Sequence, residues 1–526
     1  TTDGITNAGN FSTDGGTIKL DGNYPTGTGN VALGDAALSA ITNGERNIAI
    51  GTNTMDANTT GDRNTAVGYA AMSEYNVTDG GNDYNVAVGY AALNGTTTGA
   101  YNTAVGGDAL QANTTADNNT AVGYDALRSN TTGEKNTAIG YRSGKTNTTG
   151  VRNTSVGNET FHQNTTGDYN VAMGHQALYQ NTTADYNTGV GYGSLGNNTT
   201  GTQNAAFGSQ SLDANTTGSN NTAVGHQALT TNTTASSNTA VGFQTCLNTT
   251  TGASNTAVGN AALQQHTTSN NNTGIGAVAL GAVTTGGENT ALGHNALATL
   301  TTSSNSTAIG QSAGTSATGS YNVFVGARSA TTQSSGNQNT YVGEAAGYHM
   351  TTGAENTLIG RFDGNSGGLD IRTSNNNIVL SDGGGNVRIR HNNAGSYGYF
   401  IVPSVYNNTT GYGSNVYVTS VGELYRSTSS LRYKNTVNDA THGLTELLAL
   451  RSVTYKGNDD GDTIFGGLIA EEVHDAGLTE FVQYDDDDKP DALAYGNMVS
   501  LCIKAIQEQQ TTITALEARI ATLEAE

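Results

Sequence analysis

Tryptophan is absent from this 526-residue chain, proline occurs 3 times, cysteine twice, and only 12% of residues are charged. Each scarcity excludes something. With 3 prolines the 71 glycines are not collagen-like. Cys246 and Cys502 stand too far apart in sequence to form a disulfide framework or a zinc site. Basic residues number 21 against 43 acidic ones, a net charge of −22 with no basic cluster, so nucleic acid is not an expected partner. No apolar run approaches the ~20 residues of a membrane span, and no membrane insertion is expected. Thr1 leads into Gly/Asp/Asn-rich text, so no signal peptide is expected. A catalytic domain of standard α/β type is excluded, and neither a cofactor nor a metal is expected.

What is present is repetition. Asn-Thr-Ala-Val-Gly or a close variant begins at residues 30, 47, 64 and 85, then every 17 residues to 289, and again at 306, 322, 339 and 356. One insertion, Tyr75 to Asp83, interrupts these 20 copies. With the Asn as position zero, +3 is always apolar (Val67, Val122, Ile139, Met173, Phe207, Leu292) and +4 is always Gly. Position +1 is mostly Thr, Val or Ile and +2 mostly Ala, which is the period-2 alternation of a short strand. A second apolar column lies at +8: Leu93, Leu110, Leu127, Leu178, Leu229, Leu263 and Leu297. Cys246 falls in it and reads as a small buried hydrophobe.

A 17-residue unit cannot bury its own apolar face, but stacked units make continuous ladders. The chain is therefore expected to be mainly β: a parallel β-solenoid or β-roll of about 20 coils over residues 30–361, preceded by a cap or attachment segment at 1–29. At ~4.8 Å per coil the rod is roughly 95 Å long. Asn-Thr-Thr-Gly closes each unit as a turn, its glycine suited to positive φ. The small Ala/Gly face suggests close approach of neighbouring chains around an axis, and Phe324, Tyr341 and Leu358 at +2 mark where that packing widens or ends. Pattern and composition resemble the head domains of trimeric autotransporter adhesins, trimers of β-rolls built from Asn-Ser-Val-Ala-Ile-Gly-like units, which implies a homotrimer.

Other readings of the columns compete. The Asn-Thr-Thr triplets at 58, 113, 130, 147, 164, 181, 198, 215, 232 and 248 match the N-glycosylation sequon, or are simply the turn of the repeat. Aromatics at +5 (Tyr69, Tyr90, Tyr124, Tyr141, Tyr192, Phe243) and histidines there (His175, His226, His294) read as a stack between coils or chains, or as a surface for sugar rings. Asp62, Asp83, Asp117, Asp168 and Asp185 are too scattered for a calcium array. Adjacent threonines point to opposite faces of a strand, which argues against an ice-binding array.

After Gly360 the period stops. Residues 362–428 contain strand-like runs, two of them joined at Asp382-Gly-Gly-Gly as a hairpin. Tyr397, Tyr399, Tyr406, Tyr412 and Tyr417 make this either a receptor-binding surface or a stem. Residues 1–428 and 429–526 each carry a net charge of −11, so the last fifth of the chain is a separate, far more acidic domain. It ends in a heptad, Val499, Cys502, Ile506, Gln509, Ile513, Leu516, Ile520 and Leu523, which calls for partner copies. Ile at a with Leu at d favours two strands, so a trimer must be imposed by the rest of the chain.

Ser429-Ser-Leu-Arg-Tyr-Lys434, then Phe465-Gly-Gly-Leu-Ile-Ala-Glu-Glu-Val473, then Ala494-Tyr-Gly-Asn-Met with Ala505-Ile-Gln-Glu-Gln, resemble the C-terminal intramolecular chaperone domain of phage tailspikes, tail fibres and endosialidases. The resemblance implies assisted trimer folding followed by self-cleavage at Thr428–Ser429, with Ser429 as nucleophile and Lys434 as base. Ser430, which replaces the family's Asp, is an alternative nucleophile, and Glu472 and His474 are candidate supporting groups. The chemistry is sound in itself, because a serine hydroxyl attacks only once a base takes its proton, and burial can keep a lysine neutral. The expected protein is a homotrimeric phage tail fibre in the virion, joined to tail or baseplate proteins and binding a host-surface glycan or other receptor. A bacterial cell-surface trimeric adhesin is the alternative, disfavoured by the soluble Leu-Glu-Ala-Glu end where such adhesins carry a membrane-anchoring segment. A polysaccharide-degrading tailspike ranks lower, since hydrolysis needs paired carboxylates at a set separation. Any enzymatic activity is confined to one turnover in cis.

Overall fold

The computed structural model describes residues 27–78, 81, 83–392, 399–401, 416–418, 424–426, 436–457, 462–485 and 487–525. It divides into two compact units, residues 1–407 and 408–526.

The first unit is a parallel β-solenoid. Twenty three-residue strands, from Val31–Leu33 to Thr357–Ile359, each pair in parallel with the next, and equivalent repeat positions are in register: Thr222↔Thr239, Ala223↔Ala240, Val224↔Val241. The rest of each coil bonds between layers as well, as in Leu229 N–H to Thr245 O at 3.0 Å and Thr233 N–H to Thr250 O at 3.2 Å. Backbone polar groups of the loops therefore find partners one coil away.

Which strand face lies inside differs from expectation. Along every strand after the first, +2 is buried while +1 and +3 look outward; Ala223 is fully buried and Val224 is 37% exposed. The small face is thus the solenoid's own interior, not a contact between chains. In a coil of 17 residues the strand lies so close to the Leu at +8 that the two share one narrow core, and only an Ala fits opposite a Leu. Where +2 enlarges to Phe324, Tyr341 and Leu358, all fully buried, +8 shrinks to Gly314, Gly347 and Gly364 or, in the Phe324 coil, to Ala330. A Cβ on Gly314 would lie 2.6 Å from the Phe324 ring and one on Gly347 2.5 Å from the Tyr341 ring. Those substitutions conserve interior volume rather than mark the end of an interchain packing.

Two asparagine columns complete the interior. Oδ1 of the Asn at zero accepts the backbone N–H of the next coil's Asn, as in Asn238 N–H to Asn221 Oδ1 at 3.0 Å, and its Nδ2 donates to Ala235 O at 2.8 Å. The Asn at +11 forms a second ladder, Asn215 Nδ2 to Asn198 Oδ1 at 2.7 Å and Asn232 Nδ2 to Asn215 Oδ1 at 2.8 Å. Nine of the ten Asn-Thr-Thr triplets place their Asn in this sealed column, so they are turns of the coil whose amides are already committed; Asn248, one position earlier in its coil, is the accessible exception.

Left-handed residues also sit elsewhere than expected. Positive φ falls at −1, +4, +6 and +8, for example Asn220 (60°), Gly225 (130°), Gln227 (58°) and Leu229 (53°). The glycine of Asn-Thr-Thr-Gly is not among them, and Ala takes its place at Ala116, Ala184 and Ala235. The carbonyl of Gly218 accepts from both Asn204 and Asn215, each at 2.9 Å.

The solenoid runs one coil further than the period shows. After a longer loop Ile378–Ser381 pairs in parallel with Thr357–Ile359, and Asn377 N–H continues the ladder to Asn356 Oδ1 at 2.9 Å. Through Asp382-Gly-Gly-Gly the chain reverses into Val387–Asn392, the expected hairpin, and Tyr399–Ile401 adds a further antiparallel strand.

Among the described residues of the second unit, three α-helices, Leu444–Ala449, Ala470–Asp475 and Tyr495–Glu524, accompany short hairpins. Val473, Leu478, Phe481, Val482, Met498 and Leu501 form its core. Met498, Leu501 and Ala505 dock the first turns of the 30-residue helix, and Leu444 N–H donates to Glu508 at 2.8 Å. Its heptad face points elsewhere: Val499, Ile506, Ile513, Leu516, Ile520 and Leu523 are all exposed. Among the described residues no helix is long and apolar enough to cross a membrane.

Candidate functional site

Thr428, Ser429, Ser430 and Lys434 lie outside the described residues, as do Tyr397, Tyr406 and Tyr412. Tyr399 is placed by its backbone alone, opposite Asn392 on the last strand of the antiparallel sheet. The supporting groups are both on the helix Ala470–Asp475, two residues apart and hence not on one face. Glu472 pairs with Arg451, Nε to Oε2 at 3.3 Å, and the guanidinium holds its carboxyl below the usual carboxylate range. His474 Nδ1 lies 2.8 Å from the Tyr484 hydroxyl, their rings edge to face. Each therefore has a structural partner within the unit. Beside them a cavity of about 630 Å³ opens between Arg451, Tyr455, Leu468, Glu471, Asp491 and Tyr495. Tyr495 closes one side of it, its hydroxyl accepting from Leu468 N–H at 2.7 Å. Nothing in the sequence pattern announced this cavity, because its lining comes from four separate elements and the segments between them.

On the solenoid the +5 aromatics stack from coil to coil: Tyr69 on Tyr90 at 5.5 Å, Tyr124 on Tyr141 at 5.9 Å, His226 on Phe243 at 5.6 Å. A parallel second ladder at −1, Tyr84 on Tyr101 and Tyr169 on Tyr186, was not singled out by the repeat analysis because Arg and Asn share its column. The aspartates at −2 have a structural task, accepting a backbone N–H from the coil before, as Val151 N–H to Asp168 at 2.8 Å and Ala100 N–H to Asp117 at 2.7 Å. Among the described residues no three His, Cys, Asp or Glu side chains converge as a metal site would require. Charge gathers around Asp125, which is nearly buried and meets Lys145 at 3.0 Å and Arg128 and Arg142 at 3.5 Å. The apolar core is interrupted just beyond it, where Gly144 replaces the +8 leucine and Ser143 bonds Ser155 at 2.8 Å.

Among the ionisable groups sealed inside are a thiol and an imidazole. Cys246 occupies the +8 column as expected, and burial pushes its thiol up to about 12. His266 replaces the +11 asparagine: Thr249 donates to Nδ1 at 2.8 Å and Nε2–H donates to Ser269 O at 2.5 Å. Burial lowers its pKa below the ordinary 6.5. At pH below 6.5 the unfolded chain takes up a proton that the folded coil refuses, so stability is complete above that value and falls as pH drops through it. Thermal melts at pH 7.5 and 5.5 are expected to differ more in the wild type than in His266→Asn, which restores the ladder residue. Equal pH dependence in the two proteins would contradict this.

The +3 column contributes the largest apolar surface. Leu33, Ile50, Val88, Val105, Ile139, Met173, Phe207, Val224, Ile275, Leu292, Ile309, Val342 and Ile359 are each between 36% and 45% exposed, on one side of the rod. Compared with protein-family models, with curated proteins and with solved structures, the chain matches none.

Proposed function

We propose that the chain is a structural attachment protein, a homotrimeric phage-tail-fibre-like shaft whose C-terminal unit directs assembly and then separates by self-cleavage. The observation that carries the reading is the heptad face of Tyr495–Glu524, six aliphatic side chains exposed on a helix whose adjacent face is already docked. Such a stripe is stable in water only against copies of itself. The +3 stripe supports the same occupant. At roughly 95 Å by 10 Å it covers on the order of 900 Å², close to the ~800 Å² per partner of a standard interface and above what monomers leave bare. A low-charge, repetitive rod with its backbone bonded throughout suits reach and stiffness rather than catalysis.

In cleavage the Ser429 hydroxyl oxygen bonds the Thr428 carbonyl carbon while neutral Lys434 removes its proton. The Thr428–Ser429 C–N bond breaks, the proton passes to the departing nitrogen, and water hydrolyses the ester left behind, regenerating the hydroxyl. Trimer formation would supply the burial that keeps Lys434 neutral. The fibre would attach to tail or baseplate proteins and carry host-surface recognition.

The test is the denatured and native mass of freshly purified full-length protein beside Ser429→Ala and Ser430→Ala. Two fragments meeting at 428/429 in the wild type, one intact chain in Ser429→Ala, and a native mass of three copies are expected. Loss of cleavage only in Ser430→Ala reassigns the nucleophile. An intact, monomeric wild-type chain refutes the reading.

A further inference from the structure

Side-chain ladders on the solenoid's outer surface break at or just beyond one coil, the one that begins at Asn187. In the +9 column His162 and Tyr179 stack at 5.1 Å, and the next two rungs are Gly196 and Asp213. In the +6 column Gln176 bonds Glu159 at 3.1 Å, Gln227 bonds Gln210 at 3.3 Å and Gln244 bonds Gln227 at 2.9 Å, while the rung between Gln176 and Gln210 is Gly193. The +5 stack of His175 on Tyr192, at 5.5 Å, also ends here, because Ser209 follows it. Two glycines in one coil thus remove two adjacent rungs and leave a notch of about 340 Å³, at the lower end of the ~300–1,000 Å³ of small-molecule sites.

The notch is furnished for a ligand. One face of the Tyr179 ring is covered by His162, and the other looks across Gly196. Asp213 leans in from the coil beyond: its Oδ1 lies 2.7 Å from where a Gly196 Cβ would stand and 3.6 Å from a Gly193 Cβ. That carboxylate makes no hydrogen bond or ion pair among the described residues, and burial raises its pKa. Gln176 and Gln210, each deprived of the ladder partner the missing rung would supply, line the notch with an amide apiece. With coils ~4.8 Å apart, a ring seated above Tyr179 takes the place of the absent rung at ordinary stacking distance.

We propose that this notch binds one neutral pyranose unit of a surface polysaccharide, its C–H face on Tyr179, a ring hydroxyl donating to Asp213, and further hydroxyls exchanging hydrogen bonds with Gln176 and Gln210. A saccharide matches this set because it combines an apolar face with a rim of donors, and the acceptor-only carboxylate needs a donor. A planar aromatic group would stack but leave Asp213 unpaired. An acidic sugar would meet Asp213 and a chain of net charge −22. The inference deepens the attachment reading above by giving it a ligand class and a place.

The experiment is ligand-observed saturation-transfer NMR on the full-length protein with the methyl glycosides of glucose, galactose, mannose and N-acetylglucosamine. At least one is expected to bind saturably. Gly193→Gln, which extends the amide ladder from Gln176 to Gln210 at a position where both neighbours already hold Gln at positive φ (54° and 55°), is expected to melt like wild type and weaken binding at least tenfold. Asp213→Asn and Tyr179→Ala leave the notch open, and each is expected to weaken binding by a similar factor. No saturable binding tighter than about 10 mM overturns the proposal. So does undiminished binding in Gly193→Gln or, should that variant misfold, in Asp213→Asn. Failure here with a trimeric, cleaved wild-type protein spares the fibre reading. Notch-dependent binding by an intact monomer does the reverse.

Discussion

Gly225→Ala is expected to cut the solenoid in two. The residue sits at φ 130°, a conformation that L side chains rarely adopt, and an added Cβ would lie 2.3 Å from Gly242 O and 2.7 Å from its carbonyl carbon. Both obstacles are backbone, held in place by Gly242 N–H bonding Val224 O at 2.8 Å, so no side chain can swing aside. Strain and overlap together are worth about 3 kcal/mol or more. In a stack where each coil touches only its neighbours, that cost falls on the joint between two coils. Urea unfolding followed by circular dichroism should show a new early transition, and hydrogen exchange should lose protection first over residues 222–241. Gln227→Ala is the control. It has the same left-handed backbone, φ 58°, but Ala occupies that position at Ala70, Ala91, Ala261 and Ala345, and its cost should stay within about 1 kcal/mol. A Gly225→Ala protein that unfolds like this control would refute the argument.

Loss of one ladder asparagine should be nearly as severe. Asn221→Ala, at a site only 1% exposed, strands the Asn238 N–H, which Asn221 now serves at 3.0 Å, and takes from the Ala235 carbonyl one of its two donors, leaving Asn232 at 3.1 Å. The buried unpaired N–H costs about 1–3 kcal/mol and the lost bond to the Ala235 carbonyl about 1 kcal/mol more, so a loss of about 2–4 kcal/mol is expected. Asn221→Asp keeps the acceptor, loses the donor and buries a carboxylate. Its folded pKa would be raised, so it should regain stability as pH falls, which Asn221→Ala should not. The one natural copy without Asn shows how poorly a shorter side chain reaches: Ser306 makes the equivalent contacts at 3.3 and 3.4 Å. Denaturant midpoints of the two variants at pH 7.5 and 4.5 decide the matter, and near-wild-type midpoints for Asn221→Ala would mean that water replaces the lost amide.

Much of this molecule is written in one dimension, because its fold is nearly one-dimensional. A 17-residue spacing with an invariant glycine and two apolar columns sets coil length, parallel pairing and register, since equivalent residues of successive coils must coincide in space. The C-terminal heptad likewise shows itself as a helix with an unsatisfied face, through period alone. The burial of Cys246 followed from the company it keeps in the +8 column.

Period 2 separates two strand faces without saying which is inside, and here apolar character misleads. The valines at +3 are the more hydrophobic, yet the alanines at +2 are the core, because a coil this narrow has room opposite Leu for a methyl group and little more. Positive φ at Leu229 and Gln227 runs against residue preference and is tolerated because interlayer hydrogen bonds hold the whole coil in place. The asparagines of Asn-Thr-Thr read locally as turn residues, whereas their amides bond the asparagine 17 residues away as well as the carbonyl three residues on. The notch between Tyr179 and Asp213 could not be read from the period either, since Gly193 and Gly196 look like permitted variation until the space they open between neighbouring rungs is seen. The sequence by itself determined the repeat, its register and the C-terminal helix with its apolar stripe. Three-dimensional packing decided what is inside and what is left uncovered, because both depend on the volume enclosed by a closed coil, a quantity that no spacing of residues along the chain expresses.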